Sequence, residues 1–569
     1  MFKKAGTQGF TSGGSVGSSI GFTVNSGATL NAGTSVIGGG SFTLSSGAGL
    51  MIGSAVGITT SGATGNVQST TRTFSNGANY IYSGGAAQVT GNGLPTTVND
   101  LTINNAAGVT LSANVTVNGV LTLANGAFGI GANTLTVNDG SSVGSGSLTS
   151  AATGTVSFAQ GSAGQAVLPG TFGNLIFSNF NKTLPSGTIL IAGTFTPGNA
   201  TGHTVANSTI QFNGSATQTI PAFTYHHLQS TNTGARTLAS SGVIKIAGTW
   251  NPGANSTTVT GSTIEMNGSA AQALPAAITS YNHLTVNNAA GVSLGGPTTV
   301  SGTLALTTGT LSTGADVLTL GSAGSVARTG GHVVGSFRKS VTTGSPTVTF
   351  EIGRSGAYLP LTVAFTGVTT GGTLTASAIA GDHAAIAGSG LDAARSVNDY
   401  WTLANGGLVF GTYAATFGFV SGDVDAGAST GSFIVRRYSA PSWTSTTTGT
   451  RTATSTQATG ITGFGDFAVA EILPNWTITA SASANGSISP SGSVVVVQGG
   501  SAAFTITPSR TTMSATSWST ACLRVRSRAT PSATSPPTTR SPPASRSTRA
   551  RSPPRPTRTA RSALPVSPP

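Results

Sequence analysis

The sequence predicts an all-β protein: a parallel β-helix or solenoid, then an antiparallel β-sandwich, a truncated small β repeat domain and a disordered C-terminal tail. Three observations carry this. Short apolar–Thr–apolar triplets recur with no room for helices between them, a 54-residue unit repeats above them, and the composition is far from globular average. Glycine makes 81 of the 569 residues and charged residues only 7%, where soluble domains average roughly 25%. Hydrophobics at 37% still leave enough apolar surface for a core, which excludes wholesale disorder. No run of eighteen apolar residues occurs, which excludes a transmembrane helix.

The triplets LTI, VTL, VTV, LTL and LTV start at Leu101, Val109, Val115, Leu121 and Leu135. Alternation places Leu101 and Ile103 on one side and Thr102 on the other. The longer period shows in GTVSFAQGSAGQAVLP from Gly154, STIQFNGSATQTIP from Ser208 and STIEMNGSAAQALP from Ser262, with YIYSGGAAQVTGNGLP from Tyr80 as a looser copy. The aligned copies share Gln165, Gln218 and Gln272, then Pro169, Pro221 and Pro275. Strands entered through Leu101, Leu175, Leu228 and Leu284 follow. Strands this short suit coils of about 18–22 residues, two to three per 54-residue unit, with Gly, Ser and Asn at tight corners. Residues 1–332 are therefore expected to form a solenoid, a rod on the order of 70 Å at about 4.8 Å per coil.

From 333 to 472 the strands lengthen and aromatics increase, as in NDYWTLANGGLVFGTYAATFGFV. Turn residues at regular intervals predict an antiparallel sandwich, with Trp401, Tyr413, Phe417, Phe433 and Trp443 as core or rim aromatics. Residues 475–508 read NWTITASASANGSISPSGSVVVVQGGSAAFTITP, three strands (TITASA, SVVVV, AFTITP) separated by turns. This segment resembles the bacterial repeat domain of internalin B-repeat type. AGVTLSANVTVNGVLTL and ITGFGDFAVAE are similar to large secreted β-strand-repeat surface proteins of bacteria. The resemblance implies extracellular or cell-surface placement and an adhesive or structural role, with glycans or other surface proteins as partners. It supplies no catalytic residue and no cofactor.

The residues themselves point the same way. The adjacent His226 and His227 would face opposite sides of a regular strand, and they align with Asn282-His283 and Gly173-Asn174, so they read as solvent-facing turn residues. Asp423 and Asp425 in SGDVDAGA have the spacing of an oxygen-ligand loop but lack the further carboxylates of a full calcium loop. They are the only metal candidates. A β-helix polysaccharide lyase or hydrolase is the alternative reading, and it needs clustered carboxylates. Residues 1–330 offer Asp100, Asp139, Glu265 and Asp316, tens of residues apart. An outward Thr ladder that orders ice is a further alternative, although Thr also suits exposed strand positions. The expectation is a non-catalytic protein.

Of the net charge of +13, 11 charges reside in the tail and residues 1–509 carry a net of +2. Residues 510–569 hold 11 arginines, 11 of the 25 prolines, the single Cys522, no acid and no glycine. Such a tail could bind nucleic acid through counterion release, but its composition break points to a frameshift instead. Arg, Pro, Ser, Thr and Ala all use fourfold codon boxes. In the frame that joins each third base to the next codon's first two, the junctions from Ala550–Arg551 to Pro565–Val566 permit TITASA-x-ANGSISPSG, which matches residues 477–492 at 15 of 16 positions. Residues 509–569 are therefore expected to be a frameshift product without order, with no specific nucleic-acid partner and no role for Cys522. MFKKAGTQGF lacks the apolar stretch of a signal peptide, so Met1 is expected to be an internal start of a longer secreted chain.

Overall fold

The computed structural model describes residues 6–9, 14–482, 484, 486–498, 500–508 and 521–526. The chain divides into two compact units, Met1–Leu473 and Pro474–Pro569. It is all-β, with a parallel β-solenoid of about 17 turns. No helix among the described residues is long and apolar enough to cross a membrane.

Each triplet of the sequence is a strand. Leu101–Asn104, Val109–Thr110 and Val115–Val117 lie on three successive faces of one coil, and the next coil repeats them as Leu121–Asn125, Ala127–Gly129 and Thr134–Val137. The register gives the coil length directly. Val115 pairs with Leu135, Leu135 with Val156 and Val156 with Leu175, in parallel, close to 20 residues per coil. Inward residues stack into columns such as Leu30, Leu50, Tyr80, Leu101 and Leu121, every one of them fully buried. Thr102, Thr116 and Thr136 between them face outward, half-buried.

A 54-residue repeat on a 20-residue coil is about two and two-thirds turns. Equivalent strands therefore fall on different sheets. Thr155–Phe158, Thr209–Phe212 and Thr263–Met266 belong to three separate sheets, so the repeat steps round the solenoid by about a third of a turn per copy.

The solenoid passes into the sandwich through one shared strand. His332–Val341 pairs in parallel with Thr310–Leu320 behind it, and its second half pairs antiparallel with Gly372–Ala380 ahead. The expected boundary at residues 332/333 thus lies inside this strand, which is why solenoid and sandwich form one compact unit. The sandwich sets Gly372–Ala380, Leu391–Gly406, Gly465–Ile472 and Ile434–Ser439 in the sheet that continues the solenoid. The second sheet holds Thr347–Phe350, Leu361–Phe365, Tyr413–Gly418 and Ser455–Ile461. Trp401, Tyr413, Phe417 and Phe433 are fully buried. Trp401 Nε1 donates to Leu359 O at 3.2 Å. Trp443 sits at the rim and donates to Ala385 O at 2.8 Å.

In the second unit, Asn475–Ala480 pairs antiparallel with Gly492–Val497, and Gly486–Ser489 with Ser501–Pro508. Four strands thus replace the three expected over 475–508, because the stretch read as a turn, NGSISPSG, itself contributes Gly486–Ser489. Val496 and Phe504 point inward while Trp476 is about half exposed. Of the tail, Ala521–Arg526 is described, as a strand paired with Ser501–Pro508, an exception to the lack of order expected there. The remainder of that expectation lies outside the described residues.

Candidate functional site

The polar residues that define the repeat converge on the backbone between coils. The motif glutamines are all buried. Gln218 Nε2 donates to Ile191 O and Gly193 O of the coil below at 2.8 and 2.7 Å, while its Oε1 accepts the N–H of Gly214 at 2.8 Å. Gln272 repeats this with Ile246 O, Gly248 O and Gly268 N–H. Gln88 does so with Ile52 O, Ser54 O and Gly84 N–H. Gln165 donates to Val137 O and Asp139 O. Its copy carries one extra residue between Phe158 and the Gln, and the accepted N–H shifts to Gln160. Above each glutamine a second polar group closes the turn. Asn105 and Asn288 donate to Gln88 Oε1 and Gln272 Oε1 at 2.8 and 2.9 Å. Lys182 and Arg236 pair in register with Gln165 and Gln218. Arg236, fully buried, donates to Phe212 O, Gly214 O and Thr231 O. Lys182 donates to Ser178 Oγ at 2.7 Å. These cations are core staples, which sequence reading missed because the 54-residue period hides the 20-residue coil.

A second device sits at the residue before each entry leucine. Asp100, Asn174, His227 and His283 each accept a backbone N–H from the next coil: Val120 at 2.8 Å, Thr194 at 3.0 Å, Thr249 at 3.2 Å and Thr303 at 2.9 Å. The histidine turn reading therefore has a specific content: they are corner caps. The expectation that His226 and His227 point to opposite faces fails. His226 lies at a bend before the strand begins, and the two rings meet edge to face with centroids 4.3 Å apart. Burial, and the neighbouring His227, push His226 below its ordinary pKa.

The coil length also corrects the separation assumed for the acids. Val98, Val117 and Val137 are in register, so Asp100, Gly119 and Asp139 follow one another up a single corner. Asp100 and Asp139 are two coils, roughly 10 Å, apart, near the upper limit of about 9.5 Å for the carboxyls of inverting glycosidases. Asp100 is nonetheless committed as a cap, a role that an amide and two imidazoles fill in the other copies. Glu265 is paired with Lys245 at 2.9 Å. Outward Thr97, Thr116 and Thr136 form a column that continues as Ser157 and Ile176, a Thr ladder only three rungs deep.

Asp423 and Asp425 point to different partners. Asp423 Oδ1 accepts a hydrogen bond from Arg354 Nη2, and Arg354 Nε donates to Asp399 Oδ1 at 2.9 Å. Asp425 accepts Ser396 N–H and Asn398 Nδ2, each at 2.8 Å. The Arg354 guanidinium is paired with Asp423, and among the described residues no group of three or more His, Cys, Asp or Glu is placed to hold a metal. Asp399 is buried, and burial together with the neighbouring Asp423 carboxylate pushes its carboxyl up to about 7.

The junction of solenoid and sandwich carries a cleft of about 270 Å³ between the 321–325 turn and the strands His332–Val341 and Thr347–Phe350. Lys339 occupies a core position on its wall, donating to Thr349 O and Glu351 Oε2, each at 2.6 Å. Burial lowers the Lys339 pKa, and Glu351 opposes the shift. A second groove of about 330 Å³ lies beside Phe195, Gln218 and Pro221, where the buried Gln218 is already spent as a clamp.

Comparison with protein-family models, with curated proteins and with solved structures finds no match for this chain.

Proposed function

We infer that this is an extracellular, non-catalytic structural or adhesive repeat protein of a bacterial surface, with the solenoid as its stalk. The observation that carries the reading is the use of the repeat's polar residues. Gln88, Gln165, Gln218 and Gln272, and the caps Asp100, Asn174, His227 and His283, are all spent on coil-to-coil bonds. What the repeats deliver is a length of stable stacked sheet rather than a reacting centre. The resemblance of residues 475–508 to internalin B-repeat domains supports surface placement, and glycans or other surface proteins are the partners that follow from it.

The Asp100–Asp139 corner is the observation that favours the alternative, a β-helix enzyme acting on polysaccharide. A glycan array probed with the full chain, read together with a hydrolysis assay on polysaccharides, separates the two. Adhesion predicts binding with every glycan recovered intact. Turnover lost on Asp139→Asn would establish the enzyme.

A further inference from the structure

We propose that the cleft walled by Lys339 and Glu351 is a binding site for one neutral saccharide ring, recognised through its hydroxyls. The proposal rests on the adhesive reading for its choice of ligand and on the following chemistry for its place. This chain buries lysine and arginine elsewhere without a carboxylate. Lys182 meets Ser178 Oγ, and Arg236 meets five backbone carbonyl contacts. A buried ion pair is the more expensive arrangement, since both ions lose water. Yet at residue 339 the chain keeps one, with side chains only 10% and 15% exposed, although Thr349 O alone would staple the strand.

What the pair adds over such a staple is a carboxylate acceptor, held in place by the ammonium, at the wall of an open cleft. Lys339 Nζ donates to Thr349 O and Glu351 Oε2 and packs over the Phe337 ring, 4.8 Å from its centroid, while Glu351 Oε1 is left for a ligand. The pair is neutral as a whole, so an anion or a cation gains little, whereas one hydroxyl of a sugar can donate to Oε1 while its neighbours exchange hydrogen bonds with the hydroxyls of the lining. Ser322, Ser340 and Thr347 add hydroxyls to the lining, which Leu320, Val326 and Val348 complete with apolar groups. The volume of about 270 Å³ is just under the ~300 Å³ at which ligand pockets begin, which suits one ring and not a chain.

The test is a methyl-NMR titration of the full chain with glucose, galactose, mannose and N-acetylglucosamine, following the methyls of Leu320, Val326 and Val348. Removing Lys339 alone would strand a buried carboxylate, so the variant is the double replacement Lys339→Met with Glu351→Leu, an apolar exchange that keeps the fold. The expected result is saturable shifts of these methyls with at least one sugar and at least tenfold weaker binding in the double variant. No shift with any of the four, or equal affinity in the variant, overturns the site. Array binding that survives in the double variant would overturn this site while leaving the adhesive reading standing. Cleft shifts with no array binding would do the reverse.

Discussion

At the scale of single residues, the repeat motif is a set of instructions for joining coils. A buried amide that donates to two carbonyls and accepts one N–H does three jobs at once. Gln218→Leu keeps the volume but strands Gly193 O and Gly214 N–H and leaves Ile191 O with the Asn213 N–H alone, at a cost of about 1–3 kcal/mol. Urea unfolding of the variant checks this, with faster exchange of the Gly214 amide as the local signature. The corner caps make a matching demand on glycine. Gly119, Gly193, Gly248 and Gly302 each precede the capped N–H, and a Cβ there would lie 2.2 to 2.8 Å from the cap's oxygen or ring nitrogen. Gly302→Ala should destabilise by about 1–3 kcal/mol. Gly187→Ala, which meets nothing within 4 Å, should stay within about 0.5 kcal/mol. Equal midpoints for the two alanine variants would contradict the capping account. The motif's residues were legible in the sequence, but their work was not, because a cap and its partner are 20 to 22 residues apart while the visible repeat is 54.

At the scale of elements, the shared strand His332–Val341 and the Arg354–Asp399–Asp423 cluster tie solenoid to sandwich. Arg354 comes from the strand Ile352–Arg354, paired to the last coil, and Asp399 from the long sandwich strand Leu391–Gly406. Asp399 titrates at about 7 when folded against about 3.9 unfolded. Between those values the folded chain holds a proton that the unfolded chain has released, so stability falls as pH rises from about 4 to about 7. Melting temperature should therefore decline between pH 5 and pH 8, and Asp399→Asn should flatten the decline. Identical slopes in the two proteins would refute the assignment. The strands themselves were readable, since LTI, VTV and TIQF alternate as buried strands must. The sharing of 332–341 was not, because parallel pairing on one edge and antiparallel pairing on the other leaves no mark on the alternation. Nor was the burial of Lys339, a lysine at an inward position of an otherwise apolar register.

At the scale of the whole molecule, the mismatch between a 54-residue repeat and a 20-residue coil decides how a surface would be presented. Equivalent copies face three different sheets, so a binding face cannot be assembled from them. A partner lying along the solenoid would instead read the columns that run coil upon coil, such as Thr97, Thr116 and Thr136. The adhesive role, the glycan partner and the saccharide cleft all presuppose that the chain faces the outside of its cell. Antibody labelling of intact producing cells, with antibodies raised against the full chain, tests that most directly. The account predicts labelling of unpermeabilised cells that is lost after brief external protease treatment. Labelling that emerges only after permeabilisation would contradict it.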